Sequence, residues 1–183
     1  MLNRLFAAVV VASFAAPVAA LAQDPAKPAP PPVTASAGLK NLYTQSRAWI
    51  LRAAEAMPEE QYSFKPTPEV RSFGELLGHI ANAQYMFCAA PRKIASPNKD
   101  DFEKTATTKA AMVAALKGAF AFCDPAYDLA DSGLTEMVKA GQREVAAGYR
   151  LTFNVAHNFE HYGNIVTYMR LKGMVPPSSE PAK

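Results

Sequence analysis

The chain has almost no histidine: three residues in 183, His79, His157 and His161. Any imidazole chemistry therefore rests on those three. There is no basic stripe and no arginine-rich segment, because the 19 basic and 16 acidic side chains are interspersed and leave a net charge of only +3. The electrostatic footprint of a nucleic-acid binder is missing, and no nucleic acid is expected as a partner. Past the N-terminus no stretch is apolar over the roughly 20 residues that hydrocarbon requires, so no membrane span is expected there. Cysteine is limited to Cys88 and Cys123. Neither has a histidine or basic side chain beside it that would mark a nucleophile.

What is present begins with "MLNRLFAAVVVASFAAPVAALAQ", where Arg4 precedes an apolar run from Leu5 to about Ala16 and small residues end in Ala20-Leu21-Ala22. A charged start, an apolar middle and an A-x-A site predict a secretory signal peptide over 1–22, and hence export to a periplasm or the extracellular space. The following "QDPAKPAPPPVTA" (23–35) has no hydrophobic period and reads as an extended Pro/Ala-rich linker. A folded domain is expected over 36–179, long enough for one ordinary core, with a short disordered tail at 180–183.

Four helical segments account for most of that domain. From Gly38 to Met57 the stripe Leu42, Ser46, Trp49, Ile50, Ala53 and Met57 recurs at spacings of three and four. Ser72 and Glu75 form a capping-box pattern that opens a second helix running to about Ala90, with Pro91 ending it. Met112, Leu116, Phe120 and Cys123 share a face of a third helix, which Pro125 ends or bends. "DSGLTEMVKAGQREVAAGYR" is read as mostly irregular. The last helix covers about Leu151 to Leu171, with Gly173 placed for a left-handed C-terminal conformation ahead of Pro176-Pro177. With no convincing alternating strand pattern, the expected fold is all-α, a four-helix bundle.

The connection between the second and third helices is long enough to climb back along a helix, so these two are expected to run parallel with a crossover between them. Cys88 and Cys123 then fall toward the same end of the bundle. Two readings stay open for them: a disulfide, in keeping with an oxidising compartment, or two buried thiols acting as small apolar residues.

His157 and His161 are four apart on a helix, so they project from one face and can present two imidazoles to one ion. His79 lies beside the apolar stripe of the second helix, from which it could supply a third. Three ligands leave coordination positions open, as in a catalytic metal site. Glu75, Asn82, Asn154 and Glu160 are the nearest groups that could orient the imidazoles. Each also has a plainer reading, Glu75 as a cap partner, Glu160 as a solvated charge and the asparagines as local hydrogen-bonders. His157-Asn158-Phe159-Glu160-His161 formally matches the H-x-x-E-H protease pattern. A further protein ligand is needed, however, and the only acidic side chain after His161 is Glu180.

"SFGELLGHI", followed some 80 residues later by "HNFEHYGNIVTYMRLKGMVPPSS", resembles the DinB-like (DinB/YfiT) family of small four-helix metal-binding proteins over roughly Gly38 to Ser179. The resemblance implies a divalent metal, zinc or nickel, held by His79, His157 and His161. It also implies thiol-dependent transferase or isomerase chemistry, and with the three-histidine site the expected function is a metal-dependent hydrolase or thiol-dependent transferase acting on an unidentified small molecule. The alternative is a non-catalytic metal-binding protein of the cell envelope. A homodimer is compatible with the sequence without being required by it.

Overall fold

The computed structural model describes residues 33–181. The expected signal peptide and most of the expected linker lie outside the described residues, as do the last two residues of the chain. Helix α1 (Ala35–Ala56) starts three residues before Gly38, because the Thr34 hydroxyl caps it by accepting from the backbone N–H of Ala37 at 3.2 Å. Its buried stripe contains Tyr43, Ser46, Ile50, Ala53 and Ala54. Leu42, expected in that stripe, is 48% exposed, and Tyr43 takes its place. An aromatic ring with a polar tip suits this position. Tyr43 stacks on Tyr127 with centroids 3.8 Å apart, and its hydroxyl donates to Asp124 Oδ1 at 2.8 Å.

Helix α2 (Phe73–Cys88) opens with the expected capping box. Glu75 N donates to Ser72 Oγ at 3.2 Å, and Ser72 N donates back to Glu75 Oε2 at 2.7 Å. The crossover that follows carries a single helical turn, α3 (Phe102–Thr105), and leads to α4 (Lys109–Cys123), extended by a 3-10 turn at Asp124–Tyr127 around Pro125. Cys88 and Cys123, the last residues of α2 and α4, meet with Cα atoms 5.2 Å apart, within bridging distance. The two helices therefore run parallel, as the length of the crossover anticipates.

The segment read as irregular is ordered. A short helix α5 (Asp131–Leu134) precedes a hairpin of β1 (Met137–Ala140) and β2 (Arg143–Ala146), antiparallel with Ala140 opposite Arg143. Gly141, at φ +65°, takes the first position of the two-residue loop, where a positive φ favours glycine. Only Val138 of β1 is buried, so the alternation is too short to stand out in the sequence. Helix α6 (Ala147–Leu171) then begins four residues before the expected Leu151. It ends as anticipated: Gly173 has φ +70°, and Met174 N donates to Met169 O at 2.9 Å in a left-handed cap.

Packing follows from these faces. Ile50 of α1, Leu77 and Ile80 of α2, Leu116 and Phe120 of α4, and Leu151, Ile165 and Met169 of α6 are all fully buried in one core. Contacts such as Ser46 with Asn158 and Trp49 with Tyr162 run in the same sense along α1 and α6, whereas His79 with His161, Gln84 with Asn154 and Phe87 with Phe153 show α2 and α6 to be antiparallel. That antiparallel pair places His79 opposite the His157–His161 turn. No helix among the described residues is long and apolar enough to cross a membrane.

Candidate metal centre

The three histidines, separated by up to 82 positions in sequence, meet at one point between α2 and α6. His157 Nε2 lies 3.1 Å from His79 Nε2 and 3.0 Å from His161 Nε2, and the candidate ligand atoms all fall within 4.8 Å of one another. Metal–nitrogen bonds of about 2.0–2.1 Å place two nitrogens on one ion about 2.9 Å apart at a right angle and about 3.4 Å apart at the tetrahedral angle. The two edges at His157 lie in that interval, while the third, between His79 and His161, falls only within 4.8 Å, so the rings must draw together for all three to bind one ion. The donor set, three imidazoles, suits a borderline transition-metal ion.

Protonation also fits. The carboxylate Oε1 of Glu103 lies 2.9 Å from His79 Nδ1. A carboxylate oxygen accepts, so Nδ1 carries the proton and, in the neutral ring, Nε2 is left with its lone pair facing the other two imidazoles. His161 Nδ1 has the Asn164 amide at 3.4 Å, and His157 Nδ1 is buried with no hydrogen-bond partner among the described residues. Burial pushes His157 down to about 3, with His161, His79 and Arg71 adding to the effect. His161 is also lowered, chiefly by burial and then by His79, while Glu160 and Glu103 oppose the shift. These two rings are thus neutral, with lone pairs available to a cation at neutral pH.

A stability prediction follows for the metal-free protein. The unfolded chain protonates His157 near 6.5, while the folded chain refuses that proton until about pH 3, so protons favour unfolding between those values. The associated stability is complete above about 6.5 and is lost as pH falls toward about 3. The lowered carboxylates, such as Glu75, act only below about 4.5, so the window above that isolates the histidines. Urea midpoints in the presence of chelator should fall between pH 7.5 and pH 5, with a shallower fall in His157→Asn.

Beside His161 a cleft of about 570 Å³ opens, lined by Glu69, Arg71, Glu160, Asn164, Tyr168 and neighbouring apolar groups. Of the four groups expected to orient the imidazoles, Glu160 lines this cleft. The other three are occupied elsewhere. Glu75 is committed to its cap and to Lys65, 3.0 Å away. Asn82 faces the crossover, where its amide donates to Asp101 Oδ1 at 2.8 Å. Asn154 is fully buried toward the other end of the bundle, where it donates to Gln84 Oε1 at 2.9 Å and lies against both cysteine sulfurs. Sequence reasoning missed Glu103, Arg71 and Asn164. Glu103 stands 24 positions from His79 in a polar connection, and its only local signal is Asp101, a helix-capping residue just ahead of it.

A four-helix bundle with a crossover, whose second and last helices bring three imidazoles to one point beside a cleft, is a recognisable class of small bundle. Residues 42–165 match the DinB superfamily, and the chain belongs to it. Its fold is similar to the crystal structure of a DinB-like protein from Bacillus cereus ATCC 10987, with a TM-score of 0.66 and 17% identity over 76% of this chain and 94% of that one. A DinB-like protein from Bacillus subtilis is also similar, with a TM-score of 0.59 and 21% identity over 79% of this chain and 99% of the other. A conserved protein from Enterococcus faecalis gives a TM-score of 0.61 and 13% identity, covering 75% and 96%. No curated protein sequence matches the chain.

Proposed function

We propose that this chain is an exported metal-dependent enzyme of the DinB superfamily, with zinc or nickel held by His79, His157 and His161 and a small-molecule substrate bound in the adjoining cleft. The observation that carries the reading is the approach of His157 Nε2 to within 3.1 Å of His79 Nε2 and 3.0 Å of His161 Nε2. Such a cation supplies Lewis acidity and, at its open positions, can lower the pKa of a bound water or thiol toward neutrality. Hydrolysis and thiol-dependent transfer both draw on that property.

The chain's own residues do the rest. Burial keeps His157 and His161 unprotonated, Glu103 holds the proton on His79 Nδ1, and Phe87 covers one side of His157 edge-on with ring centroids 5.5 Å apart. On the other side Arg71, Glu160, Asn164 and Tyr168 give the cleft a polar wall of both charges, suited to orienting a small polar substrate. Cys88 and Cys123, with Cα atoms 5.2 Å apart, stand close enough for a disulfide, which would accord with an oxidising compartment and with the signal-peptide reading of 1–22.

Elemental analysis of untagged protein tests the proposal. About one equivalent of transition metal is expected in the parent and little in His79→Ala, and the intact mass of the exported protein should correspond to cleavage after Ala22. Metal-free protein that takes up neither zinc nor nickel would overturn the metal reading. Metal-loaded protein that turns over no hydrolase or thiol-transfer substrate would leave a metal-binding protein of the envelope.

A further inference from the structure

The crossover between α2 and α4 is docked on α2 around His79 at three points. Gly78 provides the first: a Cβ there would stand 2.7 Å from Glu103 N, 2.8 Å from Phe102 C and 2.9 Å from Glu103 Cα, so the backbone of α3 approaches as only glycine allows. Asn82, one turn further along α2, provides the other two. Its Oδ1 accepts from Phe102 N at 3.1 Å, and its Nδ2 donates to Asp101 Oδ1 at 2.8 Å. Asp101 Oδ1 also accepts from Glu103 N at 3.2 Å, which fixes the start of α3. The outcome of this docking is the placement of one carboxylate. Glu103 Oε1 meets His79 Nδ1 at 2.9 Å, and Oε2 accepts from Arg71 Nε at 2.8 Å, at the wall of the cleft.

We propose that Glu103 is a positioning residue: delivered by the crossover through Gly78 and Asn82, it selects the His79 tautomer that leaves Nε2 bare and at the same time aims Arg71 along the cleft. An imidazole with its proton on Nε2 has no lone pair there for a cation, and the two tautomers are close in energy until something binds one of them. An ionised carboxylate can only accept, so it binds the Nδ1–H form. Partners of this kind change metal affinity by about 10–100-fold when removed. Asn82, whose own side chain points away from the imidazoles, acts through the same route.

The proposal rests on the metal reading above, but its first readout needs no metal. Histidine ring 15N shifts of chelator-treated protein should show His79 protonated on Nδ1 in the parent and in Glu103→Gln/Arg71→Met, where the one amide oxygen has no competing donor, and on Nε2 to a large extent in Glu103→Ala. Zinc titration should then give a Kd raised about 10–100-fold in Glu103→Ala, a smaller rise in Asn82→Ala, and substantial recovery in Glu103→Gln/Arg71→Met. An unchanged tautomer, or a zinc Kd within twofold of the parent in Glu103→Ala, would overturn the assignment. So would equal losses in Glu103→Ala and Glu103→Gln/Arg71→Met, which would reduce Glu103 to the ion-pair partner of Arg71. A tautomer change from the parent to Glu103→Ala, in a parent that binds no zinc, would uphold the positioning role while overturning the metal reading.

Discussion

His161→Ala is expected to abolish the thermal stabilisation that zinc or nickel confers on the parent protein. A ligand that binds only the folded state stabilises it by about 2.7 kcal/mol at a hundred times its Kd. For a domain of this size that corresponds to a rise in Tm of about 5–10 °C. Removing one of three imidazoles breaks the convergent set, because the other two cannot close the same face of the ion. The shift should vanish in His161→Ala and persist in Arg170→Ala, whose guanidinium hydrogen-bonds, among the described residues, only to Ser179 Oγ, at 3.3 Å. Differential scanning calorimetry with and without added metal checks this. A parent melt indifferent to both ions would mean that the three histidines are structural.

How much of this site could be read in advance depended on whether the signal was local. The i, i+4 pair on α6 and the capped start of α2 are properties of one helix each, and the sequence displays both. That His79 would face the pair required the relative direction of α2 and α6, which the crossover length constrains. Glu103 had no such handle. Its role arises from the approach of α3 to α2 at Gly78, a tertiary contact whose sequence trace is one glycine in "ELLGHI". Glu75 shows the opposite case, where a local motif already used the side chain. The capping box and Lys65 claim its carboxylate, so proximity to His79 on the same helix face counts for nothing.

The same division explains the fold. Stripes on α1, α2 and α4 were legible because burial follows the helical period over many residues. Leu42 and Tyr43 exchanged places because they differ by only one position, and the choice was made by partners on another element, Tyr127 and Asp124. The hairpin after α5 was illegible for want of length. With four-residue strands and one buried side chain in β1, its order comes from Gly141 at the loop and from the docking of Val138. Asn154 reads as a polar neighbour of His157 in sequence, but it belongs to a buried network of Gln84, Tyr127 and the cysteines.

That network surrounds the second large expected effect. A Cys88→Ala/Cys123→Ala double variant is expected to lose about 3–4 kcal/mol of stability, since a crosslink closing a loop of about 35 residues removes that much chain entropy from the unfolded state. At about 2–4 °C per kcal/mol, Tm should fall by about 6–16 °C. Because the effect acts through the unfolded chain, the native helices and the metal affinity should be nearly unchanged, and the urea m-value should rise as the unfolded state expands. Both cysteines are fully buried, so dithiothreitol should leave the native protein intact and reduce it only when denaturant is added. Intact mass after alkylation under denaturing conditions, with and without reductant, decides whether the bridge exists. Two alkyl groups added without reductant would show free thiols and remove the basis for this prediction, whereas none without reductant and two with it would assign the loss of stability to the Cys88–Cys123 bond.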